Sequence, residues 1–231
     1  MQRSGAEVAS FTHGKVPREV RVRHILALAE ELFVERGFSG ASMDKLAQRA
    51  GVSKPMIYEL VGSKDEVFEA CIRRLGEELA AAVAGGASSA NTWHDQMQAG
   101  GLAFFRFVAD HRAAWTVLLA GSPRPFDREV GELRRQQHTL VAALMAAAPV
   151  DHSSEGETPV NIDSFELDAL SHTVNGAFEA LAGWWGDHPE VRPEQLAEWV
   201  AALITPGLRA MARERPSLRS EAPPSKRRRA P

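Results

Sequence analysis

The chain has 231 residues, 27 Lys and Arg against 30 Asp and Glu, and a net charge of −3. A hydrophobic share of 44% with 25% charged residues is that of a soluble globular chain, neither disordered nor fibrous. The longest apolar runs fall far short of the ~20 residues that span a bilayer, and the single cysteine excludes an intrachain disulfide and a cysteine-based zinc cluster.

Residues 1–17 are polar and lack the apolar stretch of a signal peptide, so they read as a flexible arm on a protein expected in the cytoplasm. Beyond them strand signals are scarce and helical periodicity runs nearly throughout. Between Val20 and Phe33, apolar residues recur at Val22, Ile25, Leu26, Ala29, Leu32 and Phe33, the stripe of an amphipathic helix. Gly37 stands where that helix needs a left-handed residue to end. Ser42 precedes a short helix, Met43–Ala50, closed by Gly51. Ser53 precedes another, Lys54–Leu60, closed near Gly62. Ser63 and Glu66 then form a capping box. The helix they open carries Val67, Phe68, Cys71, Ile72, Leu75 and Leu79 on one face and runs to about Ala82, long enough to link two domains.

Gly85-Gly86-Ala87-Ser88-Ser89 reads as a turn or linker. Further helices are predicted at about Trp93–Asp110, Arg112–Ala120, Asp127–Ala148, Ser164–Asp187 and Pro193–Arg213. Pro193 suits a first turn, whereas Pro206 is expected to kink the last helix. Residues 149–162 are polar with two prolines and a glycine and read as mobile, after which Asp163 and Glu166 resemble a second capping box. The expected fold is all-α. A flexible arm (1–17) precedes a small helix-turn-helix unit (18–63). A larger helical unit (64–215) and a disordered basic tail (216–231) follow.

Charge is unevenly distributed over these parts. The first 80 residues are neutral, residues 81–212 carry −8 and the last 19 carry +5. Between Ser42 and Lys64 the basic residues Lys45, Arg49, Lys54 and Lys64 outnumber the acidic Asp44 and Glu59. A locally positive segment inside a globally negative chain is compatible with nucleic acid, because charge acts within a Debye length of ~8–10 Å.

That same segment holds the most specific pattern. Ala47, Gly51, Val52 and Ile57 fall in the order small, glycine, aliphatic, aliphatic, as two steeply crossing helices require: a small residue at the crossing, positive φ at the turn, and core behind the second helix. Lys54, Pro55, Met56, Tyr58 and Glu59 are left facing outward. This set can donate to phosphates, touch thymine methyls and read base edges in a major groove. An ordinary corner between two helices with solvated charges is the alternative.

From Arg21 to Phe68 the chain resembles the DNA-binding domain of the tetracycline-repressor (TetR) family of bacterial transcriptional regulators. The likeness is carried by Ile25-Leu26, Ala29, Phe33, Gly37-Phe38, Ser42–Ala47, Ala50–Tyr58 and Gly62–Phe68. It departs where the family usually has a basic residue and an aromatic after the tyrosine, since Glu59-Leu60-Val61 stands there. Glu59 would weaken affinity beside a phosphate or select a cytosine amino group. The resemblance implies phosphate contacts from Ser42, Ser53, Lys54, Tyr58 and Lys64, and base-edge contacts from Pro55 and Met56. Ser42 and Ser53 can also serve as helix caps, and Lys45 and Arg49 suit a phosphate contact or a solvated face equally.

For the larger unit the resemblance implies homodimerisation through the last two long helices and an enclosed small-molecule pocket. Phe178, Leu181 and Trp184-Trp185, with Leu196, Trp199, Val200, Leu203, Ile204 and Leu208, offer more apolar surface than one core face needs. A dimer also presents two recognition helices one DNA turn (~34 Å) apart on a palindromic operator. Aromatic, methionine and a few polar groups suggest a pocket from Trp93, Met97, Phe104, Phe107, Trp115, Leu118, His138, Val141, Asn175, Phe178 and Glu179. The tail Lys226–Arg229 and the arm residues Arg3, Lys15 and Arg18 are further candidates for DNA contact. No metalloprotease, nucleophile-elbow or phosphate-loop motif is present, so an enzyme is not expected and the pattern calls for no cofactor and no metal. The resulting expectation is a dimeric repressor released by a small hydrophobic effector. The alternative is a helix-turn-helix dimer whose larger domain binds a protein or no ligand.

Overall fold

The computed structural model describes residues 17–213 apart from 89, 91, 121–125 and 148–162. The expected arm up to residue 16, the mobile segment and the basic tail therefore lie outside the described residues. Helices α1 (Arg18–Gly40), α2 (Met43–Ala50) and α3 (Lys54–Val61) form a small N-terminal group. Helix α4 (Lys64–Ala87) leads from it to α5 (Trp93–Asp110), the single turn α6 (Arg112–Ala114), α7 (Asp127–Ala147), α8 (Ser164–Trp185) and α9 (Pro193–Arg213). No strand occurs among the described residues.

Local chemistry sets the boundaries. Gly37, Gly51 and Gly62 are the described residues with positive φ: Gly37 kinks α1 three residues before its end rather than ending it, Gly51 separates α2 from α3, and Gly62 separates α3 from α4. The hydroxyls of Ser42, Ser53 and Ser63 accept the backbone N–H of Lys45, Met56 and Glu66 respectively. Both predicted capping boxes form: Ser63 exchanges hydrogen bonds with Glu66, and Asp163 with Glu166. Ala47 and Ile57 are buried where α2 and α3 meet.

Two expectations need correction. Gly85-Gly86 is not a linker, because α4 continues through both to Ala87. A Cβ on Gly86 would stand 2.8 Å from the Ala99 carbonyl oxygen and from the Ala103 Cβ, so glycine serves the close approach of α4 to α5. Arg112–Ala120 is not one α-helix. After α6 the chain widens into a π-helical segment, Trp115–Ala120. The linking helix is accordingly longer than Ala82, and it reaches the interior of the larger unit. Pro206 lies inside α9, whose span is the one expected.

The buried side chains form one continuous cluster from Ile25 to Leu208. Where the two units meet, Phe68 of α4 lies edge-on to Phe33 (4.9 Å between centroids) and Phe38 (5.0 Å), and Phe126, just before α7, packs on both Phe38 and Phe68. A partly buried ion pair adds to this joint. Arg74 of α4 grips both carboxylate oxygens of Glu30 on α1, with its Nε 2.9 Å from one of them. Glu78 stands 3.8 Å from the same guanidinium, and His111 at the end of α5 is 4.0 Å from Glu78. Burial pushes the Glu30 carboxyl above its ordinary range, against the opposing pull of Arg74.

Candidate nucleic-acid interface and internal cavity

Helix α3 buries Ile57 completely and turns Met56, Leu60 and Val61 partly inward. Ser53, Lys54, Pro55, Tyr58 and Glu59 are exposed, Tyr58 to 45% despite its large ring. The exposed positions fall at i, i+1, i+4 and i+5 of one helix, so they share a face. At its N-terminus the backbone N–H groups point outward, a setting that favours an anion. Thus the candidates Ser53, Lys54, Pro55 and Tyr58 come together, with Ser42 exposed at the head of α2.

The neighbouring charges are tied rather than loose. Lys54 Nζ lies 2.7 Å from Asp44 Oδ1 on α2, and this carboxylate raises the Lys54 ammonium further above its ordinary range. Arg49 donates to Glu35 at 3.0 Å, which favours a structural part for it. Lys64 Nζ donates to the Ser39 carbonyl at 3.5 Å and sits 4.5 Å over the Phe38 ring. From α1, Arg18 Nη2 donates to the Glu59 carbonyl at 3.2 Å, while Arg21 reaches the Met56 sulfur at 3.6 Å. These braces and the Asp44 partner were not foreseen, because the residues that meet stand ten or more positions apart in the sequence.

The larger unit holds a half-open cavity of about 70 Å³ free volume between α4, α5, α7, α8 and α9. Trp93, Met97, Phe104, Val141, Asn175 and Phe178 line it, as anticipated. Phe107, Trp115, His138 and Glu179 do not. Phe107 stacks on His111, Trp115 lies edge-on behind Phe104, and Glu179 pairs with Arg134 at 3.2 Å. His138 packs its ring 3.7 Å from that of His172, and burial, followed by that neighbour, lowers its pKa. The Leu118 side chain lies outside the described residues.

Sequence reasoning missed Ala87, which belongs to the stretch of α4 read as a linker, and Val83, just beyond the expected end of that helix, together with Gln96, Gly100, Gly101, Leu144, Met145, Val174 and Leu208. The adjacent glycines were a usable signal. A Cβ on Gly101 would meet the tip of the Phe178 ring at 2.6 Å, so the glycine leaves room for that ring against α5. Every lining side chain is uncharged. Its polar groups are Gln96, the Trp93 indole N–H, which donates to the Met145 carbonyl at 3.0 Å, and Asn175, whose amide donates to the Ser171 carbonyl at 2.9 Å.

Outside the cavity, Trp184 on α8 and Trp199 on α9 are each more than 40% exposed, and their rings meet edge-on at 6.5 Å. Leu203 continues that apolar surface at 79% exposure. No helix among the described residues is long and apolar enough to cross a membrane.

Comparison with known proteins matches residues 25–71 to the model for bacterial regulatory proteins of the tetR family. Residues 93–207 match the model for the tetracyclin repressor-like C-terminal domain. The transcriptional regulator EthR of Mycobacterium tuberculosis is 29% identical over 201 residues, covering 83% of this chain and 92% of that protein. The transcriptional activator FasR of Mycolicibacterium smegmatis is 36% identical over 94 residues, 41% of this chain and 43% of that protein, so the match spans less than half of the activator. Among solved structures, a TetR-like transcriptional regulator from Rhodococcus sp. RHA1 is 30% identical with a TM-score of 0.62, covering 84% of this chain and 99% of its own. FadR from Bacillus subtilis, solved in complex with stearoyl-CoA, shares the fold at 16% identity and a TM-score of 0.63, with 79% of this chain and 97% of that one covered.

Proposed function

Because the chain belongs to the TetR family of DNA-binding transcriptional regulators, we propose that it acts as a homodimeric repressor on a palindromic operator and lets go when a small apolar ligand fills the cavity. Residues 18–63 would read DNA and residues 64–215 would bind ligand and dimerise. Ser42, Lys45, Ser53, Lys54, Tyr58 and Lys64 would hold phosphates, with Pro55 and Met56 against base edges. The exposed apolar surface at Trp184, Trp199 and Leu203 is the face we assign to the second subunit.

One observation carries the coupling. Helix α4 starts against the N-terminal unit, where Lys64 bonds to Ser39, and ends in the cavity wall at Val83 and Ala87. A ligand that displaces the far end of α4 therefore acts on a rod whose near end is fixed to the DNA-reading unit. The cavity is below the ~300 Å³ of a typical ligand site, so occupation requires Met97, Trp93 or Phe178 to yield, which supplies the displacing force. Its uncharged lining suits an apolar body, of which the stearoyl chain held by the B. subtilis regulator is one example. The small volume also favours a second reading, a dimer whose larger domain takes a protein or no ligand.

The test has two steps. Operators are first selected from genomic DNA with the full chain, and affinity is then measured with and without a compound shown by calorimetry to bind. A ligand-induced loss of affinity of at least tenfold is expected. Equal affinities would reject effector release, and failure of a broad apolar compound set to bind would favour the second reading.

A further inference from the structure

Acidic side chains are unexpected on a surface that meets phosphates, yet three lie on or beside α3 and α2. Asp44 is paired with Lys54 at 2.7 Å, and Glu35 is bound by Arg49. The third, Glu59, has a carboxylate with no ion-pair or hydrogen-bond partner among the described residues, although Arg18 holds its backbone carbonyl. It is exposed, and it lies four residues after exposed Pro55, hence on the same face one turn (~5.4 Å) farther along the helix. That face also carries Lys54 and Tyr58.

An unpaired carboxylate lowers affinity for any DNA, so its place there calls for something only a carboxylate supplies. It accepts hydrogen bonds and cannot donate. In the major groove the amino donors are N4 of cytosine and N6 of adenine, and adenine sets its amino group beside the N7 acceptor, a pair that suits an amide rather than a carboxylate. Cytosine is the base left that rewards a pure acceptor.

We propose that Glu59 is a base-reading residue that selects cytosine by accepting a hydrogen bond from its N4 amino group. Arg18, through the Glu59 carbonyl, is the positioning residue that fixes the end of the helix from which the carboxylate projects. The inference rests on α3 being the element laid in the groove, as set out above.

Binding sites are selected from random duplex DNA with the full-length protein and its Glu59→Ala variant. The wild type is expected to show one cytosine in each half-site that the variant no longer prefers, with the remaining positions unchanged. In the best site that cytosine is then replaced by 2-pyrimidinone, which lacks the 4-amino group. The wild type should lose about 5- to 100-fold in affinity relative to the variant. A merely structural side chain would change melting temperature and overall affinity without moving base frequencies at one position. If the variant selects the same sites and the modified base costs both proteins equally, Glu59 faces phosphate or solvent and the inference falls. A Tyr58→Ala control separates the two levels. Weakened binding by that control, with Glu59→Ala neutral in base choice, overturns only the present inference. No effect from either substitution overturns the placement of α3 as well.

Discussion

Replacing Arg74 by methionine keeps the aliphatic stem of the side chain and removes the cation that faces Glu30. Glu30 is 8% exposed, and the guanidinium contacts both of its carboxylate oxygens. Glu78 adds only negative charge and His111 approaches Glu78 rather than Glu30, so nothing on the neighbouring helices replaces the lost partner. Stranding a buried carboxylate in this way costs about 3–5 kcal/mol. For a chain of this size each kcal/mol moves the midpoint by about 2–4 °C, which places the expected fall in Tm at roughly 6–20 °C. Burial already pushes the Glu30 carboxyl up with Arg74 present, and without it only the weaker pull of His111 opposes the push. A carboxyl raised in the folded state stabilises fully below its unfolded pKa, and that contribution is lost as pH rises through the folded value. The Tm gap between Arg74→Met and wild type should therefore be widest near neutrality and narrow on acidification towards the ordinary 4.5. The double variant Glu30→Gln, Arg74→Met strands no charge and should recover most of the loss. Thermal melts at one fixed protein concentration across a pH series decide it. A loss below about 1 kcal/mol, or one independent of pH, would mean that Glu30 is solvated and that the reasoning fails.

Five other outcomes are expected. Tyr58→Ala should weaken binding to every DNA sequence in a gel-shift at moderate salt, whereas Met56→Ala should change base preference in site selection. Asp44→Asn releases Lys54 and should tighten operator binding about two- to fivefold at low salt, an advantage that fades as salt is added. Gly51 has φ of 65° with open space around its missing Cβ, so Gly51→Ala should cost about 1–2 kcal/mol in urea titration through backbone strain alone. Burial pushes the Cys71 thiol far up, so the native protein should resist a thiol reagent that labels it at once in denaturant.

What could be read from the sequence was what short range decides. Ser42, Ser53 and Ser63 with their glycine stops announce three helix starts within twenty-five residues, because capping is a contact between residues three apart. The same locality misled at Gly85-Gly86, where a turn-like composition answers instead to Ala99 on another helix. The cavity was half legible. Trp93 and Phe178 could be picked as large apolar side chains, but Val83, Ala87 and Leu208 are ordinary core residues whose role depends on how five helices converge. His138 was chosen for its polarity and is occupied by His172, a partner thirty-four positions away that no periodicity reveals.

The unbroken run of buried side chains from Ile25 to Leu208 bears on how such proteins can be recombined. Phe38, at the end of α1, is held against Phe126, which introduces α7. A chimera cut in the loop before Ser63 would leave Phe68 and Phe126 facing a foreign surface, and the graft would inherit a cavity at the seam. Swapping DNA specificity within this architecture therefore calls for transplanting the exposed face of α3 alone, with Ile57 and the aromatic joint left as they are. The operator a regulator reads can then drift by surface substitution while its response to ligand is conserved, because the two traits share a core but not a surface.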